Sequence, residues 1–257
     1  IQLIISDLKI KEVPIPTYYG EEISYVNGIK YAYQICVATL KSQLQKKGIF
    51  YDRKFDIGEK DQKIYVNKEN FYSTHSEVLK IINENSKVLD LGCNDGYIGS
   101  LLKTQKNCFV VGVDKIEENK ILKLDKFINH DLNDGPPEID YKDFDYVLIL
   151  DVIEHLVNPE NFINKLKKCL LDNENLKIII STPNIAFFVI RIMLLLGKFN
   201  YGKRGILDKT HTRLFTFATL KDLVNQGGFS IISKKGIPAP YPLAIGENLI
   251  SKLLIKV

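Results

Sequence analysis

The sequence predicts an α/β fold: a doubly wound, mostly parallel sheet with helices on both faces, preceded by a short N-terminal helical appendage. Three observations predict it. Short apolar runs alternate with amphipathic segments from about residue 71 onward. The runs are nearly unbroken in Val, Ile and Leu, as in strands covered on both sides. The chain has 257 residues, 45% hydrophobic and 26% charged, which is enough apolar material for a sizeable core.

The elements follow in order. Residues 1–48 read as a short strand, a turn at Pro14 and Pro16, and a helix from Ser24 to Lys47. Ile29, Tyr33, Val37, Leu40 and Leu44 fall on one face of that helix, and Gly48 can stop it. "FYDRKFDIGEKDQKIYVNKEN" is polar and aperiodic and reads as a linker. It separates an N-terminal segment, 1–50, from a main domain, 51–257. Then "HSEVLKIIN" is a helix, "KVLDLG" a strand, "GYIGSLLKTQ" a helix, "CFVVGVD" a strand, "IEENKILKL" a helix and "KFINHDL" a short strand. "FDYVLILD" is a strand. In "NPENFINKLKKCL" Asn158 can cap a helix that starts at Pro159 and lines up Phe162, Leu166 and Leu170. "LKIIIST" is a strand, "TFATLKDLVNQGG" a helix closed by Gly227 or Gly228, and "FSIISKKG" a last strand. The stretch from about 185 to 210 is an insertion: an apolar "AFFVIRIMLLL", then a Gly-rich loop. Apolar walls beside a loop of this kind fit a lid that excludes water; a core-packing helix is the plainer role.

Composition excludes several classes. Net charge is +4, from 35 basic and 31 acidic residues, with no clustered basic face, so nucleic acid is not the expected partner. Cys36, Cys93, Cys108 and Cys169 have neither metal-ligand nor C-x-x-C spacing; no metal is expected, and a reducing, cytoplasmic setting is. The longest apolar run, Ala186 to Gly197, contains Arg191 and is too short to span a bilayer. Peripheral contact with a membrane through that segment stays open. The N-terminus has no basic leader or cleavage site, and it lacks an initiator Met, so the chain reads as a piece of a longer one.

The chemistry starts from "VLDLGCNDGYIGSLL", residues 88–102: a strand, a Gly loop and a helix. Ligands of open α/β sheets sit at this switch point, beyond the strands' carboxyl ends. No Lys-Ser/Thr follows Gly96, which excludes a P-loop. Gly92, Asn94 and Gly96 do not spell the dinucleotide G-x-G-x-x-G, and Asp90 and Asp95 would repel a pyrophosphate. A cationic ligand fits both features: carboxylates attract it, and Gly92, Gly96 and a left-handed Asn94 let the backbone come close. Asp114, at the tip of the second strand, is placed to accept from ribose hydroxyls; Asp131, at the third tip, from an adenine amino group. Each acid has a plainer role as a cap or turn residue. For Asp95 that role, at a helix N-terminus, is the stronger one.

"VLDLGCNDG", "VVGVD", "HDL", "FDYVLILDVIEHLVNP" and "STPN" together resemble the class I S-adenosylmethionine-dependent methyltransferases, in their small-molecule subgroup, over residues 71 to about 235. The resemblance implies a Rossmann-like fold and S-adenosylmethionine as cofactor, with S-adenosylhomocysteine as product. It implies Asp90, Gly92, Asn94 and Gly96 around the methionine part, Asp114 on the ribose, Ile116 flanking the adenine, Asp131 and Leu132 at the adenine edge, and Asp151 and Val152 closing the methionine end. The family's sheet normally ends in an antiparallel strand after "FSIISKKG", whereas "ENLISKLLIKV" here looks helical. Residues 1–48, through "KIKEVPIPTYYGEEIS" and "VNGIKYAYQI", are similar to the tail of family 2 glycosyltransferases, and "YGKRGILDKTHTRLFT" resembles methyltransferases of glycan-related fusions. Those likenesses imply a sugar or glycan hydroxyl, free or lipid-linked, as acceptor, hence O-methylation.

A hydroxyl acceptor calls for a base. His211 and His155, beyond the fourth and fifth strands, are the candidates, with Asp208 placed to orient His211. Ordering of the local loop is the competing role for His155. His75 reads as a helix-start residue or a pocket wall, and His130 as incidental. A nicotinamide-dependent oxidoreductase and a non-catalytic cofactor-binding module in a glycan-assembly protein are the rival classes.

Overall fold

A computed structural model of the chain describes residues 26–46, 73–117 and 121–238 except 123, 172, 174, 203 and 204, with 9, 11, 13, 14, 16 and 55 besides. Most of the expected N-terminal strand and Pro turn, most of the linker and all of "ENLISKLLIKV" lie outside these residues.

One unit contains helix α1, Gly28–Lys46. It starts later than the apolar spacing predicts because Asn27 caps it: Asn27 Oδ1 accepts from the Lys30 N–H at 3.0 Å. Ile29, Tyr33 and Leu40 on its apolar face are exposed.

The other unit, 67–240, carries the sheet. Helix α2, Thr74–Ile81, opens with a reciprocal cap between Ser73 and Ser76. Then come β1 (Lys87–Leu91), α3 (Tyr97–Lys106), β2 (Phe109–Asp114), β3 (Lys126–Asn129), β4 (Tyr146–Leu150), α4 (Pro159–Cys169), β5 (Lys177–Ser181), α5 (Phe188–Leu195) and α6 (Phe217–Gln226). The five strands are all parallel, in the order β3-β2-β1-β4-β5. This is the expected Rossmann-like, doubly wound sheet. The chain leaves β1 toward β2 on one side and returns to β4 on the other, so the switch point lies beyond the ends of β1 and β4.

Strand alternation sorts the core into two layers. Leu89, Leu91, Val111, Val113, Val147 and Ile149 face α4 and α6 through Phe162, Ile163, Leu166 and Leu223. Val88, Val110 and Leu148 face α2 and α3 through Val78, Ile82, Ile98 and Leu102. Asp90 shares the second face and is 1% exposed.

Two expected elements are absent among the described residues. Of "IEENKILKL", the described residues Ile116, Glu117, Ile121, Leu122 and Leu124 are not helical: Leu122 N–H donates to Asp95 O at 2.7 Å, and Leu124 packs against Gly96, Gly99 and Gly112. Leu124 covers a glycine-lined surface, a role the segment's periodicity does not reveal. "FSIISKKG" forms no strand. A strand must pair its N–H and C=O groups, and no partner lies beside it among the described residues. Phe229 still packs on the core, and Lys235 Nζ reaches Glu77 Oε2 at 2.7 Å.

Candidate cofactor and acceptor site

The β1 loop turns sharply. Gly92 and Cys93 N–H both donate to Val113 O, at 2.8 and 3.1 Å. Gly92 (φ 82°), Asn94 (φ 48°) and Gly96 (φ 77°) are all left-handed, which explains a glycine or asparagine at each. The glycines also serve internal packing: a Cβ on Gly92 would overlap Val152 Cγ2, and one on Gly96 would press on Ile121 and Leu124. Close backbone approach to a ligand is thus not the only reason for them.

The Asp114 carboxylate spans this loop and the next. Its Oδ2 accepts from Asn94 N–H at 2.8 Å and its Oδ1 from Ile116 N–H at 3.3 Å. Each oxygen keeps a lone pair for a further donor. Asp95 Oδ1 accepts from Tyr97 N–H at 3.2 Å, at the start of α3. Asp90 Oδ2 is buried with no hydrogen-bond partner. Burial, and then the neighbouring charge of Asp114, push its carboxyl up to about 7. Burial and the charges of Asp90, Asp114 and Asp95 likewise raise the Cys93 thiol far above its ordinary range. The field at this loop is strongly negative.

Asp131 follows β3. Its Oδ1 accepts from Asn133 N–H and Nδ2 at 3.0 and 2.9 Å, and Lys115 Nζ lies 3.8 Å from its Oδ2. The Asn133 bond, chiefly, keeps this carboxyl below its ordinary range. Leu132 is buried beside it. Ile116 is half-buried, with its carbonyl held by Asn129 Nδ2 at 2.8 Å.

Beyond β4, Asp151 is left-handed (φ 53°) and accepts from Ser181 Oγ at 2.7 Å. Val152 is the buried wall against Gly92. A single 3-10 turn, Ile153–His155, then brings Glu154 inward. Glu154 is 1% exposed, and neither carboxylate oxygen has a hydrogen-bond partner. Burial and the Asp151 charge push it up to about 8. Thr182, the one side chain that offsets this shift, has a buried hydroxyl that likewise completes no hydrogen bond.

His155 and His211 meet here, with ring centroids 4.8 Å apart, edge to face. His155 Nδ1 lies 3.2 Å from Thr210 O and His211 Nδ1 2.9 Å from Ile206 O. A carbonyl can only accept, so both Nδ1 atoms carry a proton, which leaves Nε2 as the ring atom able to offer a lone pair. The expected Asp208–His211 pairing is not formed. Asp208 Oδ1 takes the Thr210 N–H and hydroxyl at 2.9 and 2.8 Å, closing a turn, and a backbone carbonyl orients His211 instead. Thr212 Oγ1, donating to Leu156 O at 2.6 Å, ties this segment to the loop after β4. His75 lines a cleft of about 160 Å³ with Leu79, Tyr97 and Leu101, and His130 Nε2 contacts Gly135 O.

The sequence reading did not single out Glu154. Its one signal was an acid next to a histidine between residues that prove buried, Ile153 and Leu156.

The sequence model of the family described as "Methyltransferase domain" matches residues 65–234. The chain belongs to this methyltransferase family, whose cofactor is S-adenosylmethionine. The chain is 27% identical over 165 residues to the bifunctional methionine biosynthesis protein MetXA/MetW of Rhodopirellula baltica, a match covering 58% of the chain. It spans about a quarter (26%) of that relative's length. Among solved structures it is similar to the methyltransferase complexed with the Trm112 activator of Haloferax volcanii (14% identity, 66% and 74% of the two chains, TM-score 0.44). It is also similar to a SAM-dependent methyltransferase of Archaeoglobus fulgidus (21%, 63% and 72%, TM-score 0.41). None of these likenesses supports the glycosyltransferase-tail resemblance. Among the described residues no helix is long and apolar enough to cross a membrane.

Proposed function

We propose that the chain moves a methyl group from S-adenosylmethionine to a small acceptor, a hydroxyl of a sugar or glycan. The observation that carries the cofactor's place is the carboxylate set around one left-handed loop: Asp90, buried with a bare oxygen, and Asp114, whose charge raises it. An orphaned buried carboxylate favours a cationic donor group and disfavours a phosphate, so these residues fit the cofactor.

In this reading Gly92, Asn94 and Gly96 shape the loop, Asp90 faces the amino-acid part, and Asp114 with Ile116 takes the ribose and one adenine face. Asp131 and Leu132 take the adenine edge, and Asp151 and Val152 close the methionine end. The cofactor, when bound, supplies an electrophilic methyl on a sulfonium. The chain holds the acceptor in line and excludes water, a proximity effect. The insertion at 185–210 serves as lid, with Ile190 and Met193 buried and Ile192 and Leu195 exposed. His211 or His155 takes the acceptor's proton at Nε2. The sugar acceptor, the division at residue 50 and a cytoplasmic setting rest on the sequence, through the N-terminal resemblance and the scattered cysteines.

Calorimetric titration with S-adenosylhomocysteine tests the cofactor's place. Saturable heat is expected, lost in Asp114→Ala. Heat that is unchanged in that variant, or absent in the parent, refutes the assignment.

A further inference from the structure

Outside the cofactor loop, the feature of the molecule with the most unused chemistry is the cluster of Glu154, His155 and His211. One ligand atom from each of the three lies within 4.8 Å of the others. We infer that these three side chains bind one divalent transition-metal ion, through a Glu154 carboxylate oxygen and the Nε2 atoms of His155 and His211.

Three independent features support it. First, Glu154 is 1% exposed, and both its oxygens lack hydrogen-bond partners. A buried carboxylate without partners is costly, and a cation beside it removes that cost. Second, each imidazole donates Nδ1–H to a backbone carbonyl, Thr210 O or Ile206 O. This is the outer-sphere arrangement that fixes the tautomer of a metal-binding histidine and turns its Nε2 lone pair outward. Third, the donors come from two segments that the Thr212–Leu156 and Arg213–Glu154 hydrogen bonds lock together, so the set is held by the fold.

Two imidazoles and one carboxylate suit zinc, manganese or iron(II) and leave coordination positions open. Ligands at about 2.1 Å from an ion sit roughly 3–3.4 Å apart. The three ligand atoms, within 4.8 Å of one another, therefore have to draw together on ion binding, and His155 is the exposed member of the set. The position, past β4 at the switch point, is the acceptor side of the proposed site; that placement, unlike the ion binding itself, rests on the methyl-transfer reading. A hydroxyl entering an open position would lose its proton to solvent more readily, as metal-bound water does. With the ion bound, His155 and His211 act as ligands and not as bases.

The test is a Zn²⁺ titration of the dialysed full chain by calorimetry, with S-adenosylhomocysteine titrated into the same samples. One Zn²⁺ per chain is expected, with affinity lowered at least ~100-fold in Glu154→Gln and in His155→Asn/His211→Asn. Equal Zn²⁺ affinity in those variants, or no binding by the parent, overturns the inference. X-ray absorption on the parent alone decides independently of variant folding: imidazole and oxygen scattering supports the site, and sulfur or purely aqueous ligation overturns it. Zn²⁺ binding without S-adenosylhomocysteine heat would leave the ion site standing and refute the cofactor assignment.

Discussion

The two sides of the switch point hold their acids in opposite ways. At the β1–β2 side the backbone does the holding. Both Asp114 oxygens already accept N–H groups, from Asn94 and Ile116, and the loop around them is locked by three left-handed residues. At the β4 side the Glu154 carboxylate completes no hydrogen bond, and backbone carbonyls hold the two histidine rings. The first arrangement presents fixed negative charge and spare lone pairs, which complements a cation with hydroxyls. The second presents convergent lone pairs of mixed type. One sheet edge thus offers two chemistries, and substitutions can separate them.

The sharpest separation comes from Gly92→Ala. The residue is left-handed, and its new methyl would overlap Val152 Cγ2. Overpacking and backbone strain together predict a loss of about 3 kcal/mol or more in denaturant unfolding. Val152→Ala in the same chain should recover part of that loss, because the two changes share one space. No recovery would mean that the clash is not the cause.

Asp114→Asn comes next. It keeps one acceptor but puts an amide where a backbone N–H or a ribose hydroxyl requires an oxygen. S-adenosylhomocysteine affinity should fall roughly 10- to 100-fold, the worth of a charged hydrogen bond. Zn²⁺ affinity at Glu154 should hold within about 2-fold, since the sites are served by different loops. Equal losses at both would dissolve the distinction between the two regions.

Much of this contrast was legible before the structure. The alternation of "KVLD", "VVGVD", "YVLIL" and "KIIIS" with amphipathic helices defined the sheet, because strands buried on both faces leave a continuous apolar signature. Asp90, Asp114 and Asp131 were legible as acids at successive strand tips. What escaped was set by partners distant in sequence. The strand at "FSIISKKG" needed a neighbour that no described residue supplies. "IEENKILKL" has helical spacing, but Leu124 is drawn to the side-chain-free surface of Gly99 and Gly112. Glu154 gave no periodic signal, since its burial comes from a single 3-10 turn. Asp208 lost His211 to a local turn, a competition that short polar side chains commonly win.

The last effect concerns pH, and it bears on why Asp90 is a carboxylate at all. Its carboxyl is raised from 3.8 to about 7 by burial and by Asp114. The folded chain therefore binds this proton more tightly than the unfolded chain does. Stability from this group is complete below about pH 4 and is lost as pH rises through about 7. Asn has a similar shape and does not titrate. Asp90→Asn should therefore match the parent below about pH 4 and exceed it by pH 8, by roughly 4 kcal/mol, as read from denaturant unfolding at both values. Parallel pH curves for parent and variant would show that Asp90 ionises freely and that its isolation is not real. The same substitution should weaken S-adenosylhomocysteine binding. A charge that makes the empty protein less stable at neutral pH is useful only if a cation relieves it, and this is the sense in which the β1 loop is built for its ligand.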